Sequence, residues 1–280
     1  MLGLEDLEIG LMFWARPDAR ETLRRAKSFG VRAGQLGFPG ELPLEGAVER
    51  WDDALTAEHF TVVTAVCSYT GEDYADVPTV QATVGLVPRG TRAERVARTK
   101  AVSDVARGLG IESVMCHIGF VPEDPQEALY AEVRDVARDL CDHCGKNGQS
   151  FTLETGQEAA QVLLRFIEDV ARPNLKINFD PANMILYGTG DPIEALGVLA
   201  KRVLSVHCKD GDWPPRDEPL ALGKERPLGE GSVDMPRFIA KLKEIGYRGV
   251  LTIEREGVDE ERQAGDIRKA VALLKKLARE

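Results

Sequence analysis

Eight short apolar runs with strand character alternate with eight longer amphipathic stretches along the 280 residues, and this alternation restricts the chain to a parallel sheet covered by helices. The strand-like runs fall near 8–14, 31–37, 60–67, 112–118, 149–154, 175–180, 203–209 and 248–254. Helical patterns lie near 18–29, 43–57, 91–109, 125–146, 157–171, 191–201, 234–245 and 259–279, several closed by a glycine such as Gly30, Gly110, Gly145 or Gly246. Such a sheet is either open and doubly wound or closed. The first strand is followed by WARPDAR, which lacks the glycine spacing that a dinucleotide-binding fold places there for a pyrophosphate. The sequence therefore predicts an α/β chain folded as one (β/α)₈ TIM barrel over residues 1–280. Its longest irregular segment, 211–232, follows the seventh strand, where barrel loops shape access to a site.

Composition narrows the function classes. A formal net charge of −10 without a Lys/Arg block opposes a phosphate backbone, so nucleic acid is not an expected partner. No apolar run approaches the ~20 residues of a membrane span, and membrane insertion is not expected either. The amino terminus, MLGLEDLEIGLMFWARP, does not read as a secretory signal, which points to a cytoplasmic protein. Five cysteines, an odd number, fit reduced thiols, with Cys67, Cys116 and Cys208 inside apolar runs. Cys141 and Cys144 bracket His143 in a CxxC, but no second Cys/His pair follows to complete a zinc site, so this segment reads as ordinary helix.

Four strand ends carry the chemistry: FTLETGQE at 151–158, INFDPANM at 177–184, SVHCKDGD at 205–212 and LTIERE at 251–256. Side chains alternate faces along a strand, which groups Thr152 with Glu154, Asn178 with Asp180, Ser205 with His207 and Lys209, and Thr252 with Glu254 and Glu256. The opposite parity is apolar (Phe151, Leu153, Ile177, Phe179, Val206, Cys208, Leu251, Ile253) and suits the helices outside. The polar set is thus expected inside the barrel, at the carboxyl ends of strands where barrel active sites form. Charges there are costly unless they are paired or bind a metal. Any one of these acids taken alone reads as a helix cap or surface charge; four successive strand ends of matched parity point to one divalent ion held by Glu154, Asp180, His207 and Glu254. This mostly hard ligand set fits Mn²⁺ first, with Mg²⁺, Co²⁺ or Zn²⁺ tolerated. A divalent ion chelated by a carbonyl and a neighbouring hydroxyl acidifies the adjacent C–H and opens an enediolate, with Glu154 and Glu254 placed to remove and return the proton.

These residues resemble the xylose-isomerase-like barrels, the sugar phosphate isomerase/epimerase superfamily that includes D-tagatose 3-epimerase and inosose dehydratase, over essentially the whole chain. The resemblance implies metal ligands at the ends of strands five to eight, matching Glu154, Asp180, His207 and Glu254, and an acid/base role for the two glutamates. PLGEGSVD at 227–234 resembles a glycine-rich stretch of that superfamily. Two departures weaken a match to the ketohexose epimerases: Asn183 stands where they place a substrate-binding histidine, and Gln35 where many relatives carry a glutamate.

The expected activity is metal-dependent isomerisation or epimerisation of a ketose or keto-sugar. A dehydratase or lyase acting on an inosose or a 3-keto glycoside is the alternative, and a noncatalytic sugar-binding barrel ranks below both. An abasic-site endonuclease, the other enzyme class on this barrel, is disfavoured by the four histidines and the acidic surface. His117, Glu158, Asn183, Lys209, Trp14 and Arg216 are candidate substrate contacts, each with a competing structural reading: a satisfied core histidine, a first-turn acid facing a helix dipole, an ion pair with Asp210 or Glu256 for Lys209, and mouth packing for Trp14, Arg216 and Trp213. No glycine-rich nest with an adjacent lysine is present, so an unphosphorylated sugar is preferred. A homodimer is the expected assembly by likeness to the superfamily.

Overall fold

The computed structural model describes residues 6–218 and 220–279. Its first half runs β1 (Ile9–Trp14), α1 (Ala19–Lys27), β2 (Ala33–Phe38), α2 (Ala47–Glu58), β3 (Thr61–Cys67), α3 (Val77–Thr83), α4 (Arg89–Gly108), β4 (Ser113–Cys116) and α5 (Ala128–Lys146). The second half runs β5 (Ser150–Glu154), α6 (Ala160–Val170), β6 (Leu175–Phe179), α7 (Pro181–Tyr187), α8 (Pro192–Leu199), β7 (Val203–Cys208), β8 (Asp210–Asp212), β9 (Lys224–Arg226), α9 (Met235–Glu244), β10 (Leu251–Ile253) and α10 (Glu260–Arg279). Strands β1 to β7 and β10 close a barrel in the order β1-β10-β7-β6-β5-β4-β3-β2, with parallel pairing throughout. The closed (β/α)₈ TIM barrel expected from the strand–helix alternation is the fold.

Alternating side chains explain why the sheet closes this way. The outward set on β5, β6, β7 and β10, from Phe151 to Ile253, is fully buried against the helices, and Phe179 stacks on Phe238 of α9 with ring centroids 6.0 Å apart. Burying each such side chain contributes roughly 1.5–3 kcal/mol. The inward set is buried too, but on β5, β6, β7 and β10 it is polar: Thr152, Asn178, Ser205, His207 and Thr252. Register aligns His207 with Thr252 and Asn178 with Ser205, so these polar groups lie side by side within the barrel.

Three features were not expected. Helix α3 is a short turn started by Asp76, whose carboxylate accepts the Thr79 N–H, with proline in the first turn. Helix α7 opens directly after β6 on Asp180 and stops at Gly188 in the left-handed region. Strands β8 and β9 pair antiparallel inside the segment read as irregular, joining two charged tripeptides, DGD and KER, that carry no apolar alternation. The last barrel strand is also shorter than its apolar run, since Arg248 and Gly249 precede it outside the sheet.

The β8–β9 hairpin and the chain after it are tied down by one side chain. Asp210 accepts backbone N–H groups from Gly211 (2.9 Å), Gly229 (2.9 Å), Gly231 (3.1 Å) and Val233 (3.1 Å). Gly229 has φ +86°, and a Cβ on Gly231 would collide with the Asp210 carboxylate. The glycine-rich stretch at 227–234 is thus explained by backbone wrapping a carboxylate. The five cysteines are free and buried; Cys141 and Cys144 lie on α5, with His143 hydrogen-bonded to Asp104 at 2.8 Å. Among the described residues no helix is long and apolar enough to cross a membrane.

Replacing Asp210 with alanine leaves four N–H groups without their acceptor, and we expect a loss on the order of 2–3 kcal/mol in urea unfolding together with faster protease cleavage within 211–232. Unchanged stability and cleavage would show that the loop is held by other contacts.

Candidate metal centre and its cavity

Glu154 ends β5, Asp180 follows β6, His207 lies within β7 and Glu254 follows β10. One ligand atom from each falls within 4.8 Å of the others, and all four residues are buried. His207 Nδ1 stands 2.7 Å from Glu154 Oε1, 3.0 Å from Glu254 Oε2 and 3.6 Å from Asp180 Oδ2. Yet Glu154 Oε1, Asp180 Oδ2 and His207 Nδ1 are buried polar atoms that no hydrogen bond satisfies. Short separations without hydrogen-bond angles describe atoms aimed at a common point rather than at one another. Three oxygens and one imidazole nitrogen converging in this way fit a divalent cation, and the residues that would hold it are those expected from the strand ends.

Each ligand is oriented by the atom it does not offer. Asp180 caps α7, its Oδ1 accepting the Asn183 N–H at 3.0 Å, while Thr155 Oγ1 bonds its backbone N–H and carbonyl at 2.8 and 2.9 Å. The helix-cap reading of this acid is borne out on Oδ1, while Oδ2 stays turned toward the cluster and is the oxygen a metal would take. His207 Nε2 lies 3.0 Å from Gln35 Oε1, and Gln35 Nε2 donates to Asn178 Oδ1 at 3.0 Å, which also accepts from Ser205 Oγ at 2.7 Å. Because Gln35 Nε2 is committed to Asn178, its Oε1 can only accept from His207, which leaves the Nδ1 lone pair for a metal. Gln35 was expected only as the loss of an acidic contact; it proves to be the group that fixes the histidine.

The two glutamates differ. Glu154 Oε2 pairs with His117 Nε2 at 2.9 Å, so its second oxygen is not free as the two-base scheme assumed. Glu254 Oε2 is shared by His207 and by Lys209 Nζ, each at 3.0 Å, and Glu254 lines the cavity. Burial works against ionisation, but the charges of His117 and His207 outweigh it and hold Glu154 at about 2. Burial likewise opposes, and His207 and Lys209 overcome it, in keeping the Glu254 carboxyl well below the usual carboxylate range. For His117, burial is outweighed by Glu154, which pushes the imidazole up to about 9.

A cavity of about 630 Å³ opens above the centre, lined by Glu154, Glu254, Lys209, His117, Asn183 and Trp14 among others. Lys209 binds Glu254 rather than Asp210 or Glu256; Glu256 instead accepts the Trp14 Nε1–H at 2.7 Å. Glu158 is buried beside the cavity, not on its wall, and its Oε1 accepts the Val121 N–H at 2.8 Å. It precedes α6 and supports the β4–α5 loop. Arg216 is exposed and is not among the lining residues; Trp213 is 45% exposed and also lies off the wall. Tyr74, Glu72 and Glu225 line the cavity from loops and from β9, where nothing in the local pattern marked them. Glu256 carried a signal, the inward parity it shares with Glu254.

A model of the xylose isomerase-like TIM barrel family matches residues 23–277, and the chain belongs to that family. The fold superposes on a xylose isomerase domain protein from Planctomyces limnophilus with a TM-score of 0.91 and 44% identity, covering 97% of each chain. It also superposes on D-allulose 3-epimerase from Methylomonas sp. with a TM-score of 0.71, covering 99% of this chain and 100% of the other; at 20% identity this is a likeness of fold alone. Inosose dehydratase from Geobacillus kaustophilus is 30% identical over 135 residues, 43% of this chain and 42% of that protein. The aligned part of the chain spans 33–59% of the length of the curated relatives it matches. Its class is therefore that of the xylose isomerase-like TIM barrels, and sugar epimerases and a dehydratase are among the proteins it is similar to.

Two measurements follow from this geometry. Gln35→Leu removes the acceptor for His207 and should weaken Mn²⁺ binding about 10–100-fold by calorimetry, whereas Gln35→Glu, which keeps an acceptor, should recover most of it; equal affinity in all three proteins would dismiss the orienting role. Burial lifts Glu158 from 4.5 to about 7. The folded chain therefore keeps a proton on Glu158 that the unfolded chain has released, so the contribution of this group to stability falls as pH rises from about 4.5 to about 7 and is level above. Urea unfolding from pH 4 to 8 in chelator should show this decline flattened in Glu158→Gln relative to the parent.

Proposed function

We propose that the chain is a metal-dependent sugar isomerase or epimerase acting on a ketose or keto-sugar, with Mn²⁺ held by Glu154, Asp180, His207 and Glu254. The observation that carries this reading is the convergence of four buried ligand atoms, three of them without hydrogen-bond partners, on one point beneath a cavity. The bound ion would supply Lewis acidity, polarising a carbonyl and acidifying the C–H next to it. The chain's own residues handle the proton. Glu254 shares only Oε2 with His207 and Lys209, and its other oxygen is the base on that side of the cavity. Lys209, with its ammonium 3.0 Å from Oε2, keeps that carboxylate anionic and steadies negative charge as it develops on the substrate. On the other side Glu154 acts together with His117, which holds its Oε2 and carries the proton that the carboxylate gives up or receives.

The same pairing favours a second reading. A protonated His117 beside the substrate is an acid fitted to a departing hydroxyl, so dehydration of an inosose or a 3-keto sugar is the alternative.

Incubation of the Mn²⁺-loaded protein with ketoses, inososes and 3-keto sugars in D₂O, followed by mass analysis, separates these outcomes. We expect deuterium uptake with an unchanged carbon skeleton, reduced about 10²–10⁴-fold in Glu254→Gln and in Glu154→Gln. Loss of water from the product, abolished in His117→Gln, would move the assignment to a dehydratase. Metal binding without exchange on any sugar would overturn both.

A further inference from the structure

We infer that the cavity takes a keto-sugar bearing an apolar substituent, an alkyl or aryl glycoside, in preference to a free ketose or a sugar phosphate; this narrows the substrate class of the reading above and rests on it. The barrel mouth is divided by strand. The ends of β5, β6, β7 and β10 supply the four ligands, whereas β1, β3 and β4 turn Met12, Trp14, Val66 and Met115 inward. These four form an apolar cluster separate from the main core, and all of them line the cavity. They give the side of the cavity away from the ligands a surface that rewards apolar contact and offers a sugar hydroxyl no partner.

Trp14 is the best placed of them. Its only polar atom is spent on Glu256 at 2.7 Å, which fixes the indole plane and leaves the ring faces for stacking. The apolar path continues to the rim. Tyr74 is 42% exposed with its ring centroid 5.7 Å from that of His117, and Leu222, from the 211–232 segment, also lines the cavity. Exposed large apolar side chains at the edge of a cavity mark a surface that something covers. A substituent running from the sugar toward solvent would cover this one.

Size and charge agree. About 630 Å³ lies within the range of roughly 300–1,000 Å³ typical of pockets for drug-sized ligands, more than one sugar ring fills. Beyond the ligands Glu154 and Glu254, the wall carries Glu72, Glu225 and Glu256; of its three cations, His117 and Lys209 are committed to Glu154 and Glu254, and Lys224 lies at the solvent edge. A phosphate would meet net repulsion there even beside a divalent ion.

Calorimetry on the Mn²⁺-loaded full chain with glucose, methyl β-glucoside, phenyl β-glucoside and glucose 6-phosphate tests this without turnover. We expect phenyl β-glucoside to bind at least about fivefold more tightly than glucose, the advantage to be lost in Tyr74→Ala, whose exposed position spares the fold, and glucose 6-phosphate to bind most weakly. Equal binding of glucose and phenyl β-glucoside, or tight binding of glucose 6-phosphate, would overturn the inference. A parallel exchange assay in D₂O keeps the two readings apart. Free ketoses exchanging as fast as 3-keto glucosides would sink the glycoside preference and leave the isomerase standing. Exchange on no sugar, with the phenyl advantage intact, would sink the isomerase and leave an apolar binding subsite.

Discussion

Three carboxylates and an imidazole occupy a space in which their ligand atoms cannot all be satisfied by one another, and much of the barrel's interior follows from that. With Nδ1 of His207 between 2.7 and 3.6 Å from three carboxylate oxygens, the cluster holds an excess of negative charge where the dielectric is low. Lys209 relieves part of it from one side, at 3.0 Å from Glu254 and 3.8 Å from Asp180. Without a metal the remaining relief comes from protons, and the pKa directions show where they sit. His207 is held charged well above its ordinary range, because Glu254 and Glu154 outweigh the effect of burial, and Asp180 is lifted to about 6 by burial. A divalent ion held here would take the place of those protons, which would make metal binding and proton release one process.

Such a cluster would collapse into ordinary ion pairs if its members could rotate, and the fold prevents this by using one atom of a ligand for support and another for the centre. Asp180 gives Oδ1 to the N-terminus of α7 and keeps Oδ2; His207 gives Nε2 to Gln35 and keeps Nδ1; Glu154 gives Oε2 to His117 and keeps Oε1. The supporting partners are themselves fixed, Gln35 by Asn178 and Thr155 by the Asp180 backbone. Preorganisation of this kind places the cost of assembling like charges on folding rather than on metal capture.

What could be read from the sequence follows from the range of the interactions concerned. The barrel and the four-residue cluster were legible because a strand repeats every two residues, so Glu154, Asp180, His207 and Glu254 betray their side of the sheet locally. Gln35 lies on β2, 172 positions from His207, and its role depends on closure of the barrel bringing β2 and β7 across from each other. The partner of His117 was hidden for the same reason. Helix α7 was missed because seven residues carry little periodicity, and the β8–β9 hairpin because its order comes from a single carboxylate gathering backbone donors. Arg216 was singled out for charge and loop position, and neither property says whether a loop side chain turns toward a cavity; this one is exposed and off the wall.

The asymmetry of the two glutamates bears most directly on the chemistry. Inverting a carbon centre requires a proton carrier on each face of the substrate, while expelling a hydroxyl requires a base on one face and an acid for the leaving oxygen. Glu254, oriented by one cation and open to the cavity, would serve as the base in either of the proposed reactions. Glu154 never acts alone, because its outer oxygen is already bonded to an imidazole that its own charge holds protonated up to about 9. In the proposed reaction, the direction in which the pair moves a proton would depend on which substrate atom lies opposite His117. A carbon there would yield epimerisation, and a hydroxyl oxygen dehydration, from the same set of residues. The same residues would serve both outcomes, and in the proposed reaction the choice between them would fall to the cavity wall, whose apolar half on β1, β3 and β4 would face the sugar ring.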